Sequence, residues 1–339
     1  MAIATNAFDP KQFSFLVAEQ DDWGTHAVNE SSPNNSLIAL DVDSIGSPSL
    51  GVEQILNPRS GSRVLQATDF FHEKRNTIKE ITVSGTATTE GLDLLLSNLT
   101  ADTSSPYAMA SNAATSTLTS ATTNQTDQQL LSIVYKSAYG TNADLSFKDC
   151  FCTNLVLSGS ADAEGGRVKF SATFKTGSLA DDLTDATTTI DTAIISNDYF
   201  MSAWDADDRI IAGVANVIVS SFSLNITNDV VFAGITGTGF ESATRAGEIS
   251  ATADFTVMYD SNTAGLFETF NNQTAGTSQG ATLMGTDDTP SDGEFEFKFA
   301  SSAITNVAFN EGSLMMLDCS VKALGAGIGS GTALFEVAC

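Results

Sequence analysis

Two stretches of this chain repeat the same order of elements, and this duplication constrains the fold more than any other feature. Each copy begins with an alternating strand, at residues 80–87 in the first and 248–255 in the second. A short apolar helix follows, and then a pair of strands that starts at Phe147 or at Phe297. Alternation with period two is typical of strands with one buried face. The sequence therefore predicts a repeated β module.

The helix of each copy is predicted by the spacing of its apolar residues. These residues recur at the intervals of one buried helical face: Leu92, Leu95, Leu96 and Leu99 in the first copy, and Leu266, Phe267 and Phe270 in the second. We expect Thr88 or Thr89 to cap the first helix, and Asp260 or Ser261 to cap the second. Helices this short are marginal on their own, so each is expected to pack on a sheet.

The predicted fold is mainly β, with a minor helical part. We expect two tandem β-sandwich modules, each with one short helix and a long hairpin or loop. The first module is assigned to residues 1–178, a polar linker to 179–198 and the second module to 199–339. A Ser/Thr-rich segment at 101–127 has few large side chains and is interpreted as an exposed insertion in the first module.

The charge of the chain limits its partners. A formal net charge of -26 arises from 41 acidic and 15 basic residues, and the acids are spread along the chain rather than gathered in a tail. Such a surface repels nucleic acid backbones. It indicates either general solubility or a salty source environment, or else a surface that lies near DNA without binding it. No apolar run is long enough to span a bilayer and no signal peptide is evident, so we expect a protein that is soluble and intracellular when made.

No catalytic, cofactor or metal motif emerges, so the chain is not predicted to be an enzyme. The pair Cys150 and Cys152 lies at i and i+2 on a predicted strand, with Cys319 and Cys339 elsewhere. With two histidines in the chain, no zinc quartet can be assembled from spacing, and buried free thiols are expected instead. Aspartate spacings do not match a calcium loop.

Several segments follow one another in the order found in one known family. They are the Trp23-Gly24-Thr25 turn after the first strand, the strand and Leu-rich helix at 80–99, the hairpin at 147–174, the strand at 221–228 and the second helix at 259–271. In this order the chain resembles the major tail tube proteins of long-tailed bacteriophages with non-contractile tails, over most of residues 10–325. Each motif is short, so the order carries the resemblance.

The resemblance implies a structural protein of the virion tail, made in the host cytoplasm. Such proteins self-assemble into rings whose sheets join edge to edge, and the rings stack into a tube that conducts phage DNA into the host cell through an acidic lumen. The tape measure protein and DNA would pass without specific binding, and tail terminator and distal tail proteins would bind the ends. Six modules surround the axis in this family. A chain of two modules is therefore expected to close a ring as three copies with pseudo-sixfold symmetry, with six copies as the alternative.

The resemblance also suggests which segments contact a neighbouring subunit. Residues 52–78 and 227–247 are the candidate hairpins or loops by position. The first of them overlaps a basic cluster that holds five of the fifteen Lys and Arg residues: Arg59, Arg63, Lys74, Arg75 and Lys79. This cluster is a candidate inter-subunit interface, and a solvated basic loop is the alternative interpretation.

Two other classes of protein remain open from the sequence. An acidic chain rich in Ser and Thr is also typical of a secreted surface-layer or adhesin-like β protein, which would need an export signal. An acidic hydrolase on a β scaffold is the third possibility, although no carboxylate pair stands out.

Overall fold

Strands dominate the computed structural model, which confirms a β-rich α+β fold. The structure describes residues 13–20, 22–27, 37–46, 53–56, 64, 70–74, 78–100, 130–137, 145–163, 166–178, 181–182, 208–235, 239–273, 277–285, 295–311, 314–325 and 334–338. Among them are two α-helices. The proposed insertion at 101–127 lies outside the described residues.

Within the described residues, the first half of the chain contributes ten strands and one helix. They are β1 (Phe13–Gln20), β2 (Ile38–Ala39), β3 (Val42–Ile45), β4 (Glu53–Leu56), β5 (Phe70–Lys74), β6 (Lys79–Thr86), α1 (Thr89–Thr100), β7 (Leu130–Ser137), β8 (Leu145–Ser160), β9 (Lys169–Thr176) and β10 (Asp181–Asp182). The short strand β10 falls inside the predicted linker, whose other residues lie outside the description. The predicted hairpin at 147–174 is confirmed as the antiparallel pair β8–β9.

The part of the second half that the structure describes contributes eleven strands and one helix. They are β11 (Asp208–Ile211), β12 (Val214–Ala215), β13 (Val219–Thr227), β14 (Val230–Ala233), β15 (Ser242–Arg245), β16 (Ser250–Met258), α2 (Ala264–Asn271), β17 (Thr282–Gly285), β18 (Glu296–Phe299), β19 (Ser302–Glu311), β20 (Met315–Ala323) and β21 (Glu336–Ala338).

One continuous run of eight antiparallel strands joins the two halves. Its order is β3-β6-β9-β8-β13-β16-β20-β19. The first four strands come from the first half and the last four from the second. Strand β8 is long enough to serve two sheets. Up to Cys150 it pairs with β7 and β10, and from Cys150 onward it belongs to the run; the change falls next to Asp149, whose φ is 54°.

A smaller sheet covers the inner face of the run in each half. In the first half the order is β2-β1-β7 followed by the beginning of β8, and in the second it is β12-β11-β17-β18-β21. Aromatic rings fill the space between the layers. Phe222 stacks on Phe295 with ring centroids 6.0 Å apart, and Phe15 lies 6.1 Å from Phe174. Each half is therefore a β-sandwich, and the two share one long sheet.

The second half repeats the topology of the first. Strands β1 to β3, the hairpin β4–β5, strand β6, helix α1 and strand β7 correspond in order and pairing to β11 to β13, β14–β15, β16, α2 and β17. The long strand β8 corresponds to β18 and β19 together, which are separated by a two-residue break. Strands β9 and β10 correspond to β20 and β21.

Matching bulges fix the equivalence residue by residue. Thr153 is the extra residue where β8 pairs with β9, and Thr305 is the extra residue where β19 pairs with β20. Each threonine hydroxyl donates to a carbonyl of the partner strand, at 3.2 Å and 3.1 Å. The equivalent strands β3 and β13 have a matching bulge too, at Asp43 in β3 and at Ser220 in β13. Bulges are specific features of a fold, so their agreement supports one ancestral module.

This equivalence corrects the register assigned to the repeat. The strand pairings show that Glu80 is equivalent to Thr252, not to Glu248. They also show that Phe147 is equivalent to Phe299, not to Phe297. The sequence pattern found the right elements, because alternation is the same at any shift of two or four residues.

Both helices lie where their apolar spacing predicted. Leu92, Leu95, Leu96 and Leu99 are at most 1% exposed, so the buried face of α1 is confirmed. The start of α2 differs from the prediction, because its N-cap is Thr263. The Asp260 carboxylate instead accepts the backbone N–H groups of Asn262 and Thr263 at 2.8 Å and 2.9 Å, in the turn before the helix.

Gly85 in β6 offers a test of how closely the backbone at the start of β3 approaches β6. A Cβ atom at Gly85 would overlap the Asp41 carbonyl oxygen, which already accepts the Thr86 N–H at 3.0 Å. We expect Gly85→Ala to destabilise the protein by roughly 3 kcal/mol, because backbone atoms must move apart. The matched control is Gly265→Ala in α2, where the nearest atom is Val214 Cγ2 at 4.0 Å. The control should be neutral or stabilising by up to about 1 kcal/mol. Urea unfolding of both variants decides, and equal stabilities would contradict the described β3–β6 contact.

Candidate assembly surface

The long sheet ends in two strands that have one partner each. Within the described residues, β3 pairs with β6 and β19 pairs with β20, and neither has a strand on its other side. An unpaired strand edge is a template for another strand. The sheet therefore carries two candidate assembly edges, and they belong to opposite halves of the chain.

The junction between the halves shows how such edges are paired. Seven consecutive residues of β13, from Ser221 to Thr227, pair antiparallel with the end of β8. At the centre of this junction Leu224 lies opposite Leu157, and both side chains are fully buried. The strand β13 is the equivalent of β3, and this end of β8 is the equivalent of β19. The chain thus already contains one contact between a β19-type strand and a β3-type strand.

The free edge at β19 exposes apolar surface that the junction covers. Phe309 holds the position of Leu157, yet it is 51% exposed while Leu157 is fully buried. Its ring lies 4.7 Å from Phe267 and 5.4 Å from Tyr259, so it is held over the edge by α2 and the end of β16. Met315, in the adjacent strand, is 54% exposed. Exposed large apolar side chains at an unpaired strand edge favour a protein contact there.

The free edge at β3 shows the same difference. Ile45 holds the position of Phe222, and it is half-buried where Phe222 is 3% exposed. Asp43 and Ser44 of β3 are exposed, whereas Ser220 and Ser221 of β13 are half-buried. Both edges are therefore less covered than their equivalents in the junction, each of which has a neighbouring strand.

A buried arginine fastens the hairpin β14–β15 to the first half. The Arg245 guanidinium donates to the carbonyl oxygens of Cys152 at 2.7 Å, Asn98 at 2.6 Å and Asn228 at 2.6 Å. Asn98 lies in the last turn of α1, where a cation is favoured by the helix dipole. Asn228 donates its amide to the Leu99 carbonyl in the same turn, at 2.7 Å. Burial lowers the pKa of Arg245 to about 10.

Aromatic contacts complete the seat of this hairpin. Phe232 of β14 lies 5.9 Å from Phe151 of β8 in an edge-to-face arrangement, and Arg245 lies over the Phe151 ring at 5.2 Å. Phe240, between the two hairpin strands, packs on Phe232 at 5.4 Å. The hairpin of the second half is therefore docked on the first half across the sheet junction.

The outer face of the long sheet consists mainly of small polar side chains. On β13 and β16 the outward residues are Ser221, Ser223, Asn225, Thr227, Ser250, Thr252, Asp254, Thr256 and Met258. The carboxylates there are tied to hydroxyls: Ser320 donates to Asp254 at 2.5 Å and Thr256 to Asp318 at 2.9 Å.

The cations of this face are paired with carboxylates. Among the described residues of β9 and β20, three outward lysines form ion pairs: Lys169 with Asp43 at 3.0 Å, Lys175 with Asp229 at 2.7 Å and Lys322 with Glu248 at 3.3 Å. Exposed pairs of this kind add little stability. Their effect is electrostatic, because they leave Glu80, Asp254 and Asp318 to set the sign of the face.

The basic cluster does not form one exposed patch. Lys79 is fully buried within the fold, and burial lowers its pKa, so its assignment to an exposed interface was wrong. Lys74 lies at the end of β5, where its backbone pairs with Glu53. Arg59, Arg63 and Arg75 lie outside the described residues. The sequence pattern did not identify Arg245 as a contact residue. Its position within residues 227–247, the second candidate hairpin, was the signal that could have found it.

The described cysteines are buried free thiols, as expected from the sequence. Cys150, Cys152 and Cys319 are at most 1% exposed, and Cys339 lies outside the description. Among the described residues, no group of three or more His, Cys, Asp and Glu side chains could hold a metal ion. In the same part of the chain, no helix is long and apolar enough to cross a membrane.

No protein-family model matches the chain, and a search of curated proteins finds no similar sequence. The surfaces of the two halves are therefore interpreted by comparing them with each other.

The thiols provide a test of the tightness of the junction region. Burial raises the pKa of Cys152 and of Cys319 to about 12, and it raises the pKa of Cys150 as well. Since the thiolate is the reactive form, we expect these three thiols to resist a disulfide reagent such as DTNB at pH 8 in the native Cys339→Ser variant. All three should react after unfolding in guanidinium. Rapid labelling of the native protein would show that the packing around β8 and β20 is open.

Proposed function

We propose that this chain is a tail tube subunit, a structural protein that self-assembles into stacked rings for the passage of phage DNA. The observation that supports this best is the edge-to-edge joining of two equivalent half-sheets within one chain. The joined sheet still has a β3-type edge at one end and a β19-type edge at the other. A second copy can therefore repeat, between chains, the contact that β8 and β13 make within one chain.

The internal junction predicts the register between chains. Phe222 pairs with Gly159 in the junction, and the equivalent residues are Ile45 and Glu311. In this register Glu311 of one chain pairs with Ile45 of the next, and Phe309, two residues before Glu311, lies at the same edge, where the incoming chain would cover the exposed half of its side chain. Burial of apolar surface drives such association.

Repetition of a head-to-tail contact closes a ring when the rotation per copy divides a full turn. Because each chain supplies two equivalent half-sheets to one run, three copies give six modules around the axis with pseudo-sixfold symmetry. Six copies would require one half to leave the wall, and the continuous run of eight strands disfavours this.

The polar face of the long sheet, which is turned away from the smaller sheets, is suited to line a DNA conduit. In a closed ring one face of the continuous sheet lines the lumen and the other lies against the smaller sheets. The smaller sheets occupy the inner, apolar face in each half, so the polar face with its paired lysines is left for the lumen. Carboxylates without a surplus of cations repel phosphate, which lets DNA and the tape measure protein pass without binding.

The remaining partners follow from the same geometry. A stack of rings ends in surfaces that no further ring covers, and the terminator and distal tail proteins are the proposed partners there. The protein would act in the virion tail after synthesis in the host cytoplasm.

A substitution at the β19 edge tests this function. Phe309→Asp places a carboxylate where the neighbouring strand would bury it, and burial of an unpaired charge opposes association strongly. We expect the variant to remain a folded monomer, because this side chain is half exposed in the single chain. The matched control is Phe309→Leu, which introduces the residue that the equivalent position holds as Leu157. It should assemble as the unmodified protein does.

Electron microscopy and analytical ultracentrifugation of concentrated protein provide the measurement. The unmodified chain and Phe309→Leu should give rings or tubes, and Phe309→Asp should sediment as a monomer. A chain that stays monomeric at millimolar concentration, without and with crowding agents, would contradict the proposed function. Tubes formed equally well by Phe309→Asp would contradict the β19 edge as the contact.

A further inference from the structure

The free edge strand β3 carries a bulge that is held by an ion pair. Asp43 is the extra residue where β3 pairs with β6, and its carboxylate accepts the Lys169 Nζ at 3.0 Å. The same ammonium group donates to the Thr86 hydroxyl at 2.9 Å. Because β6 lies between β9 and β3, the Lys169 side chain crosses one strand to reach the bulge. One cation thus connects three neighbouring strands at the edge of the long sheet.

The equivalent bulge in β13 is held in a different way. Ser220 is its extra residue, and the Ser220 carbonyl accepts the Ala161 N–H at 2.9 Å. Ala161 directly follows β8, the strand that pairs with β13 in the junction. The bulge of β13 is therefore fixed from outside, by the half-sheet that it joins.

The second half has a methionine where the first half has this lysine. Lys169 lies opposite Thr86 in the β6–β9 pairing, and Met316 lies opposite Met258 in the β16–β20 pairing. The register that the matching bulges fix makes Met316 the equivalent of Lys169. A thioether carries no charge and forms no ion pair. The cation is therefore found in the half whose bulge lies at a free edge, and an apolar residue takes its place in the half whose bulge is paired.

The inner sides of the two bulges are hydrogen-bonded in the same way. The Asp41 carbonyl accepts the Thr86 N–H at 3.0 Å, and the Ile218 carbonyl accepts the Met258 N–H at 2.9 Å. The difference between the bulges therefore lies in what holds the extra residue. It is a neighbouring strand for Ser220 and a lysine for Asp43.

We propose that Lys169 is a positioning residue for assembly: its ion pair with Asp43 holds the free β3 edge in the conformation that the β19 edge of a second copy requires. This proposal rests on the proposed assembly of copies through these edges. The Asp43 carbonyl then accepts an N–H from the incoming chain, as the Ser220 carbonyl accepts one within the chain. An edge that is already in its bound conformation loses less conformational entropy on pairing, which favours association. The lysine also neutralises the Asp43 carboxylate, which would otherwise repel an incoming chain of net charge -26.

The expected effect is moderate, because the ion pair is partly exposed. The side chains of Lys169 and Asp43 are 30% and 63% exposed. Pairs of this kind shift a local equilibrium by roughly two- to fivefold at moderate salt. A change of this size is measurable both in the opening of the edge and in the rate of association.

Hydrogen exchange of the single chain tests whether the ion pair holds the edge. The Phe309→Asp background, which we expect to stay monomeric, makes the measurement independent of assembly. Lys169→Met introduces the residue of the second half, and it should speed exchange of the peptide that contains residues 42–45 by roughly two- to fivefold. Exchange in the paired strand at 219–227 should not change. High salt should speed exchange at 42–45 when Lys169 is present and have no such effect in Lys169→Met.

Two variants separate the ion pair from a general loss of stability. Lys322→Met removes an exposed pair with Glu248, which lies on the same face but at the far end of the run from β3. It should leave exchange at 42–45 and the assembly rate unchanged. The double variant Lys169→Asp/Asp43→Lys reverses the pair and should restore slow exchange, whereas Lys169→Asp alone should not.

Assembly kinetics of chains that retain Phe309 test the consequence of the ion pair for association. Lys169→Met should lower the initial rate of tube formation, followed by light scattering, by about threefold or more. The reversed pair should restore the rate of the unmodified chain, because the edge is again held before the next copy arrives.

The outcomes separate this proposal from the proposed function. Unchanged exchange at 42–45 in Lys169→Met would overturn the positioning role whether or not tubes form. Faster exchange with an unchanged assembly rate would overturn the role of the ion pair in assembly and leave the tube function standing. Failure of the unmodified chain to assemble would contradict both. Faster exchange together with slower assembly, both restored by the reversed pair, supports the positioning role of Lys169.

Discussion

The antiparallel pairing of β8 with β13 is the contact on which the rest of this structure depends. It joins two half-sheets of four strands into one run, and it buries Leu157 and Leu224 at its centre. The long strand β8 makes this possible, because it turns at Asp149 and serves a second sheet before the turn. Without the junction each half would present two free edges, and the hairpin β14–β15 would lose its seat on α1. The junction also defines the two edges that remain.

The two halves are equivalent in topology but not in their environments. Leu157 is buried while Phe309 is half exposed. The Cys152 carbonyl accepts the buried Arg245, whereas the equivalent Ile304 carbonyl accepts the exposed Gln273. In both comparisons the second half covers a surface of the first half, and the equivalent surface of the second half has no such neighbour among the described residues. A single chain therefore contains one contact between a β19-type strand and a β3-type strand, and the described part of the chain leaves one strand of each type unpaired on one side. The proposed ring satisfies the open contact with the next copy.

The sequence predicted the elements of this fold well and its surface poorly. Alternating residues and the leucine stripe of α1 reveal strands and helices because burial imposes those periods directly on the sequence. Register is harder, since a shift of two or four residues preserves alternation, and so Glu80 was matched to Glu248 rather than to Thr252. The basic cluster misled for a different reason. Charge density along the chain does not show that Lys79 is buried, or that the isolated Arg245 is the residue that fastens a hairpin.

Cysteine cross-linking between chains tests the central claim, the repetition of the internal junction between copies, most directly. The variant Ile45→Cys/Glu311→Cys joins two residues that the internal register places opposite each other, at a separation that a disulfide can span. Ser223→Cys/Ser158→Cys is the internal reference, because these residues pair within one chain. Ile45→Cys/Asn306→Cys is the out-of-register control, displaced by five residues or about 17 Å. Under mild oxidation of assembled protein, covalent trimers from the first variant and monomers from the control are predicted. Equal cross-linking of both variants, or none in assembled tubes, would contradict the account.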